Sequence, residues 1–200
     1  MTDQITDQIT DQIGAVLRYW TGLGPAGWYG GGPDADIRMR FEWLWRHARA
    51  HGLAGRLNGW SDTPQGALAA LIVLDQFPRN MFHDRAGRFS TDAAALCLAQ
   101  QAIARGQDLA IAPPLRQFFY LPLMHAENSP AQSHCCALFA ERMPGDTLRH
   151  ARAHHDIIAR FGRFPWRNAL LGRRNTVEEL AFLAAGGYAT AIRSHPAVAG

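Results

Sequence analysis

Lysine is missing from this 200-residue chain, and all twenty of its basic residues are arginine. That excludes a lysine Schiff base and the lysine of a phosphate-binding P-loop. Cysteine is scarce: Cys97, Cys135 and Cys136 lack metal-ligand spacing, and the adjacent pair cannot easily form a structural bridge. They are expected as reduced, small apolar fillers. No run of about 18 uncharged apolar residues occurs, so neither a membrane-spanning helix nor a membrane partner is expected. The opening, MTDQITDQIT, has neither the basic nor the apolar region of a signal peptide, which points to a cytoplasmic location. Strand-like alternation is sustained nowhere. A net charge of only +3, without a dense arginine block, leaves no footprint for nucleic acid. The glycine run Gly30-Gly31-Gly32 lacks the strand, helix and spacing of a nucleotide-binding loop, and no cofactor is expected.

What is present is apolar and helical in period. A hydrophobic fraction of 48% and six tryptophans suit one domain over 1–200, with 1–10 and 187–200 as weakly attached termini. Three copies of Thr-Asp-Gln-Ile put Ile5, Ile9 and Ile13 on one stripe, which continues into Val16, Leu17 and Trp20 and predicts a helix. Gly22 to Pro33, with six glycines and two prolines, predicts a loop that lays Trp28 and Tyr29 against the body. Asp34 to Arg56 predicts a long helix with Ile37, Phe41, Leu44, Trp45 and Ala48 inward. Ser61 or Asp62 then caps a helix entered by Pro64, and its run from Ala67 to Leu74 is too uniformly apolar to face water. It is expected to be the central helix. Further helices are predicted from Asp92 to Arg105, from Leu115 to Glu127 with a bend or division at Pro122, from Pro130 to Arg142, and from Pro144–Asp146 to Phe161. A short helix near Ala169 and a capped one from Thr176 to Ala185 follow, and the tail from Gly186 is poorly patterned. The expected fold is all-α, with eight to ten helices in successive antiparallel hairpins.

Polar chemistry gathers at two prolines. Leu71 to Phe82 reads LIVLDQFPRNMF, an apolar helix end that presents Asp75, Gln76, Arg79 and Asn80 around Pro78. Arg163-Phe164-Pro165-Trp166-Arg167-Asn168 repeats the theme with one residue inserted. Each helix is expected to break at its proline and leave an Arg-Asn pair just beyond, so that the two breaks form two lips of one polar site. Asp75 can fix Arg79 either as an ion pair closing a hairpin or as a guanidinium preorganised for a carboxylate or phosphate. His125 and Glu127, at the end of the aromatic segment, are candidates for a proton carrier and its orienting base, or for a simple helix cap. His155 is a candidate to join them. His150 and His154 are four apart but lack the glutamate of a metalloprotease motif, and no metal is expected. Arg163, Arg167 and Asn168, with Trp166 lining the recess, complete the ligand-binding set. Carboxylates such as Asp75, Glu127 or Asp156 must neutralise these arginines in the empty protein, so a structural network competes with a binding site.

Leu74-Asp75-Gln76-Phe77-Pro78-Arg79-Asn80, His155-Asp156-Ile157-Ile158 and Arg163-Phe164-Pro165-Trp166-Arg167-Asn168 together resemble a family of bacterial and eukaryotic proteins classified as a domain of unknown function. The likeness runs from about Val16 through Phe182. It implies an all-helical superhelical array related to tetratricopeptide repeats, with degenerate repeats, and it carries over no biochemical role. The family pattern usually has Phe-Trp-Phe-Gly where this chain has Tyr19-Trp20-Thr21-Gly22, and His-Ser-Glu where it has His125-Ala126-Glu127. It commonly has histidine at the place of Trp166. The alanine removes a serine nucleophile from beside His125, and Trp166 cannot do acid-base work. Asp75, Arg79, His125, Glu127, His155, Arg163 and Arg167 match.

Two functions are compatible with these residues. One is a protein that binds a small anionic metabolite, a carboxylate or phosphate, in an Arg/His/Glu pocket. If that pocket catalyses, hydrolysis or isomerisation suits the groups, with His125 moving a proton. The other is a helical scaffold for a peptide or protein partner whose Arg/Asp/His cluster is structural. Composition leaves the oligomeric state open.

Overall fold

In the computed structural model, residues 2–29, 34–52 and 59–196 are described, with side chains from residue 11 onward. The described residues are helical and turn-like throughout, without a strand. They form helix hairpins in two compact units, Met1–Pro122 and Leu123–Gly200.

In the first unit, α1 (Thr2–Tyr29) runs through the glycine-rich segment that composition predicts as a loop. Its one break is at Gly24, whose φ of 61° lies outside the helical region. Only Gly24 and Pro25 interrupt the helix; the remaining glycines cost helix propensity that packing offsets. Trp28 is thereby carried into the core, where it stacks on Trp20 and its indole N–H donates to the Trp20 carbonyl at 2.7 Å. Gly30 to Pro33 lie outside the described residues, as does the predicted end of α2 beyond Gly52. The described helix α2 is Asp34–His51, with Ile37, Phe41, Leu44, Trp45 and Ala48 buried as their spacing predicts.

The next helix, α3 (Pro64–Leu71), is capped by Thr63 rather than Ser61 or Asp62. The Thr63 hydroxyl accepts from the Gly66 N–H, and Pro64 sits in the first turn. Gly66 is required by proximity: a Cβ there would lie 2.1 Å from the Trp60 carbonyl oxygen. All of Ala67 to Leu74 is buried, which makes this the central helix of its unit, packed by α1, the Trp60 turn and α5 (Asp92–Ala104).

The helix does not break at Pro78. It passes through a π-helical turn, Ile72–Gln76, into α4 (Phe77–Met81) and ends at Phe82. Proline has no N–H and crowds the carbonyl four residues back, here that of Leu74. The wider turn absorbs the crowding, and the Phe77 N–H reaches the Ile72 carbonyl. The stranded Leu74 carbonyl is satisfied from another element, by the Thr91 hydroxyl at 2.5 Å. Thr91 therefore does not spend its side chain on capping α5, the role its position suggests. The predicted helix from Leu115 is divided into a 3-10 turn, Leu115–Phe119, and α6 (Leu121–His125).

In the second unit, α7 (Ser129–Arg142) is capped by Asn128 and pairs with α8 (Asp146–Phe161) as a hairpin. Gly162 ends α8 in the left-handed conformation, φ 68°, and its N–H returns to the Ile158 carbonyl. Phe164 is extended, as a residue before proline must be, and Pro165–Arg167 forms a 3-10 turn. Thr176 and Glu179 close a capping box on α9 (Val177–Ala184). The unpatterned tail is helical: α10 (Tyr188–Arg193) packs on α8, and Arg149 donates to the Ile192 and His195 carbonyls. No helix among the described residues is long and apolar enough to cross a membrane.

Candidate functional site

The π-turn orients the first cluster. Asp75, 1% exposed, lies in that turn, and the Gln76 amide donates to its Oδ2 at 2.5 Å. Arg79 lies on the following turn with Nη2 3.3 Å from Asp75 Oδ1. Its Nη1 donates to the Asp75 carbonyl at 2.8 Å and to Asp92 Oδ1 at 3.0 Å. Burial works against the Arg79 charge, but the carboxylates of Asp75 and Asp92 outweigh it and hold its pKa above the ordinary arginine value. Arg88 feels the reverse balance: burial and the Arg79 charge lower its pKa, against the pull of Asp92. Asn80 adds a buried amide nitrogen without a hydrogen bond among the described residues. Asp75, Gln76 and Arg79 thus come together as expected. Asp92 and Thr91 are the members that sequence reasoning missed; Ser90-Thr91-Asp92 reads as a helix start, and nothing local ties it to Arg79.

The second cluster belongs to the other unit. Arg167, 7% exposed, lies over the Phe164 ring at 4.6 Å and donates to the His125 carbonyl at 2.9 Å. Glu127 accepts from the Phe164 N–H at 2.8 Å and takes Arg173 bidentately at 2.6 and 2.9 Å. Burial raises the Glu127 pKa, yet the Arg173 hydrogen bonds, the Phe164 N–H and the charges of Arg173 and Arg167 bring it below the usual range. Arg163 is held apart from this group by Glu179, with two bonds at 2.6 and 2.8 Å. Glu179 is 2% exposed, and the Arg163 bond, aided by the Thr176 N–H and opposed by burial, lowers its pKa to about 2. Asn168 is buried and donates to the Asn175 side chain at 2.7 Å. Glu127, His125 and Arg167 are therefore neighbours, while Arg163 and Asn168 serve the α9 junction.

His155 is placed elsewhere on α8, its Nε2 3.3 Å from the Ser133 Oγ and its Nδ1 3.3 Å from Asp156. His154 takes the inward position. Its ring meets Phe164, Trp166 and Tyr188 edge-on or tilted, and its Nδ1 lies 2.8 Å from the His150 carbonyl. Burial is the chief reason that its pKa falls to about 3; the hydrogen bond to His150 opposes this, and nearby His125, Arg167 and His150 add to it. Helical phase carried the signal, because Ala151, His154, Ile157, Ile158 and Phe161 share one stripe. His150, the other half of the possible metal pair, has Nδ1 2.5 Å from the Tyr188 hydroxyl. Trp166 stacks on Phe164 at 4.9 Å and lines the same aromatic group. Both clusters are built of charged groups in ion pairs and hydrogen bonds, and much of each is buried.

The structure of a protein of unknown function from Agrobacterium tumefaciens is 38% identical and matches with a TM-score of 0.82, over 88% of this chain and 99% of that one. No curated protein is significantly similar. Residues 16–187 match the family described as "Bacterial protein of unknown function (DUF924)", and the chain belongs to that family.

Proposed function

We propose that the chain binds a small anionic metabolite, a carboxylate or phosphate, at the cluster of Arg167, His125, Glu127 and His154, with Trp166 as an apolar wall. The observation that carries this reading is the local field. The Arg167 guanidinium bears on His154 with positive charge and donates to the His125 carbonyl, while Glu127 holds Arg173 and the Phe164 N–H. An anion placed in such a field gains from several donors at once. The commitment of Glu127 favours binding over a proton relay through His125. In this reading Asp75, Gln76, Arg79 and Asn80 supply a second polar cluster in their own unit.

A thermal-shift series with inorganic phosphate and simple carboxylates tests it. Stabilisation of the parent that shrinks in Arg167→Gln is expected, together with a rise in the His154 pKa when the anion is present. No stabilisation by any anion of the series refutes it. A second reading is favoured by the pairing of Arg79 with Asp75 and Asp92 and of Arg163 with Glu179. Here the clusters are structural, the array is tetratricopeptide-like, and a peptide is the partner. It predicts that anions leave stability unchanged while Arg79→Ala and Arg163→Ala unfold the chain at lower denaturant.

A further inference from the structure

We propose that the cleft between α8, α9 and α10 binds a small monocarboxylate with an aromatic or branched apolar body, at a place separate from the Arg167 cluster. The cleft measures about 380 Å³, within the range of small-molecule sites. Its floor is Ile157, Phe161, Phe182 and Ala191, with Ala185 at the edge, so most of a guest would rest on hydrocarbon and two phenyl rings. The rings of Phe161 and Phe182 lie 5.0 Å apart.

The polar groups at the rim decide the head group. Arg160 and His195 line the cleft, and so does Asp156. Both Asp156 oxygens are occupied, Oδ2 by His195 Nε2 at 3.0 Å and Oδ1 by His155 Nδ1 at 3.3 Å. Asp156 is thereby engaged by two imidazoles, and the donors that line the cleft decide what it holds. Ser194 offers a hydroxyl and Arg160 its guanidinium. Arg160 already lies against the cleft wall, 4.7 Å over the Phe161 ring, and its partner Glu178 is 60% exposed at the side chain. A solvent-exposed pair of this kind holds weakly, so a carboxylate entering the drier cleft can take over the guanidinium. Donors at the rim of an apolar floor select an acid over an amine or an alcohol of the same shape.

The probe is para-fluorobenzoate, titrated into the full chain and followed by fluorine NMR. Parallel titrations use para-fluorobenzyl alcohol and para-fluorobenzylamine. Ala185 is exposed at the end of α9, so Ala185→Phe fills the cleft without touching the core, and Arg160→Gln keeps most of the stem. The expected result is saturable binding of the acid by the parent, loss in Ala185→Phe, and weakening of about tenfold in Arg160→Gln, the scale of one charge-assisted bond. The alcohol binds more weakly than the acid. Absence of saturable binding by the parent overturns the proposal, as does equal binding by Ala185→Phe or tighter binding of the amine. Binding lost in Arg167→Gln but kept in Ala185→Phe also overturns it, and would place the acid at the other cluster instead.

Discussion

The inward histidine makes a measurable claim about acid. His154 has a folded pKa of about 3 against an ordinary value of 6.5. Because the folded value is depressed, the unfolded chain takes up a proton that the folded chain refuses. The contribution to stability is fully present above 6.5 and is lost as pH falls from 6.5 toward 3. Between pH 7 and pH 5 the loss is about 2 kcal/mol for this one group, at about 1.4 kcal/mol per pH unit once the unfolded imidazole is charged. Partial solvent access makes that an upper value. Glutamates with lowered pKa values, Glu127 and Glu179, titrate below this window and do not confuse it. Urea denaturation of the parent and of His154→Phe at half-unit pH steps provides the test. Phenylalanine keeps the contacts with Phe164, Trp166 and Tyr188, and the His150 carbonyl it abandons is a helical carbonyl. The variant should lose the slope between pH 6.5 and 5 while retaining most of the stability at pH 7. Parallel slopes in the two proteins, or an imidazole of His154 seen by NMR to titrate near 6.5, would refute the account.

Three further outcomes follow from contacts already described. Thr91→Val deletes the hydroxyl that meets the Leu74 carbonyl and should cost about 1–3 kcal/mol in urea, with Thr91→Ser recovering most of it. Gly66→Ala should destabilise by about 3 kcal/mol or more, because the obstructing atom is the Trp60 backbone oxygen and cannot swing away; a variant with unchanged Tm defeats that reasoning. Glu179→Gln removes the charge that Arg163 and the start of α9 share, at a cost of about 2 kcal/mol near neutrality. The Glu179 pKa is depressed to about 2, so its contribution is present above 4.5 and disappears as pH falls through that interval. Parent and Glu179→Gln should converge in stability near pH 2.

Most helices were legible because their apolar spacing, caps and prolines agree. Pro130 at the start of α7, and Thr176 with Glu179 at the start of α9, each act where the sequence places them. The misread stretches are those where tertiary contacts override a local signal. Six glycines and two prolines from Gly22 to Pro33 say loop, yet Trp28 has a partner in Trp20 eight residues earlier, and burying both rings outweighs weak propensity. Pro78 says helix end, but the missing N–H is a problem only if the Leu74 carbonyl stays unsatisfied, and Thr91 answers it from seventeen residues away. A single sequence cannot show that answer, because the hydroxyl that supplies it looks like a helix cap.

The candidate site divides in the same way. Pairs within one turn, such as Asp75 with Arg79, follow from spacing alone. The choice of carboxylate for each distant arginine does not, since Asp75, Glu127 and Asp156 all read as candidates in sequence and Glu179 reads only as part of a helix start. The structure gives Glu127 to Arg173, Glu179 to Arg163, and Asp156 to two histidines. Desolvation explains why the assignment matters. A buried guanidinium is tolerated only with close acceptors. Arg167 draws on the His125 carbonyl, the Phe164 ring and the charge of the neighbouring Glu127. The Arg167 charge also falls on the His154 imidazole, where it adds to the effect of burial. The same field that disfavours a proton on that imidazole is the one an entering anion would reduce.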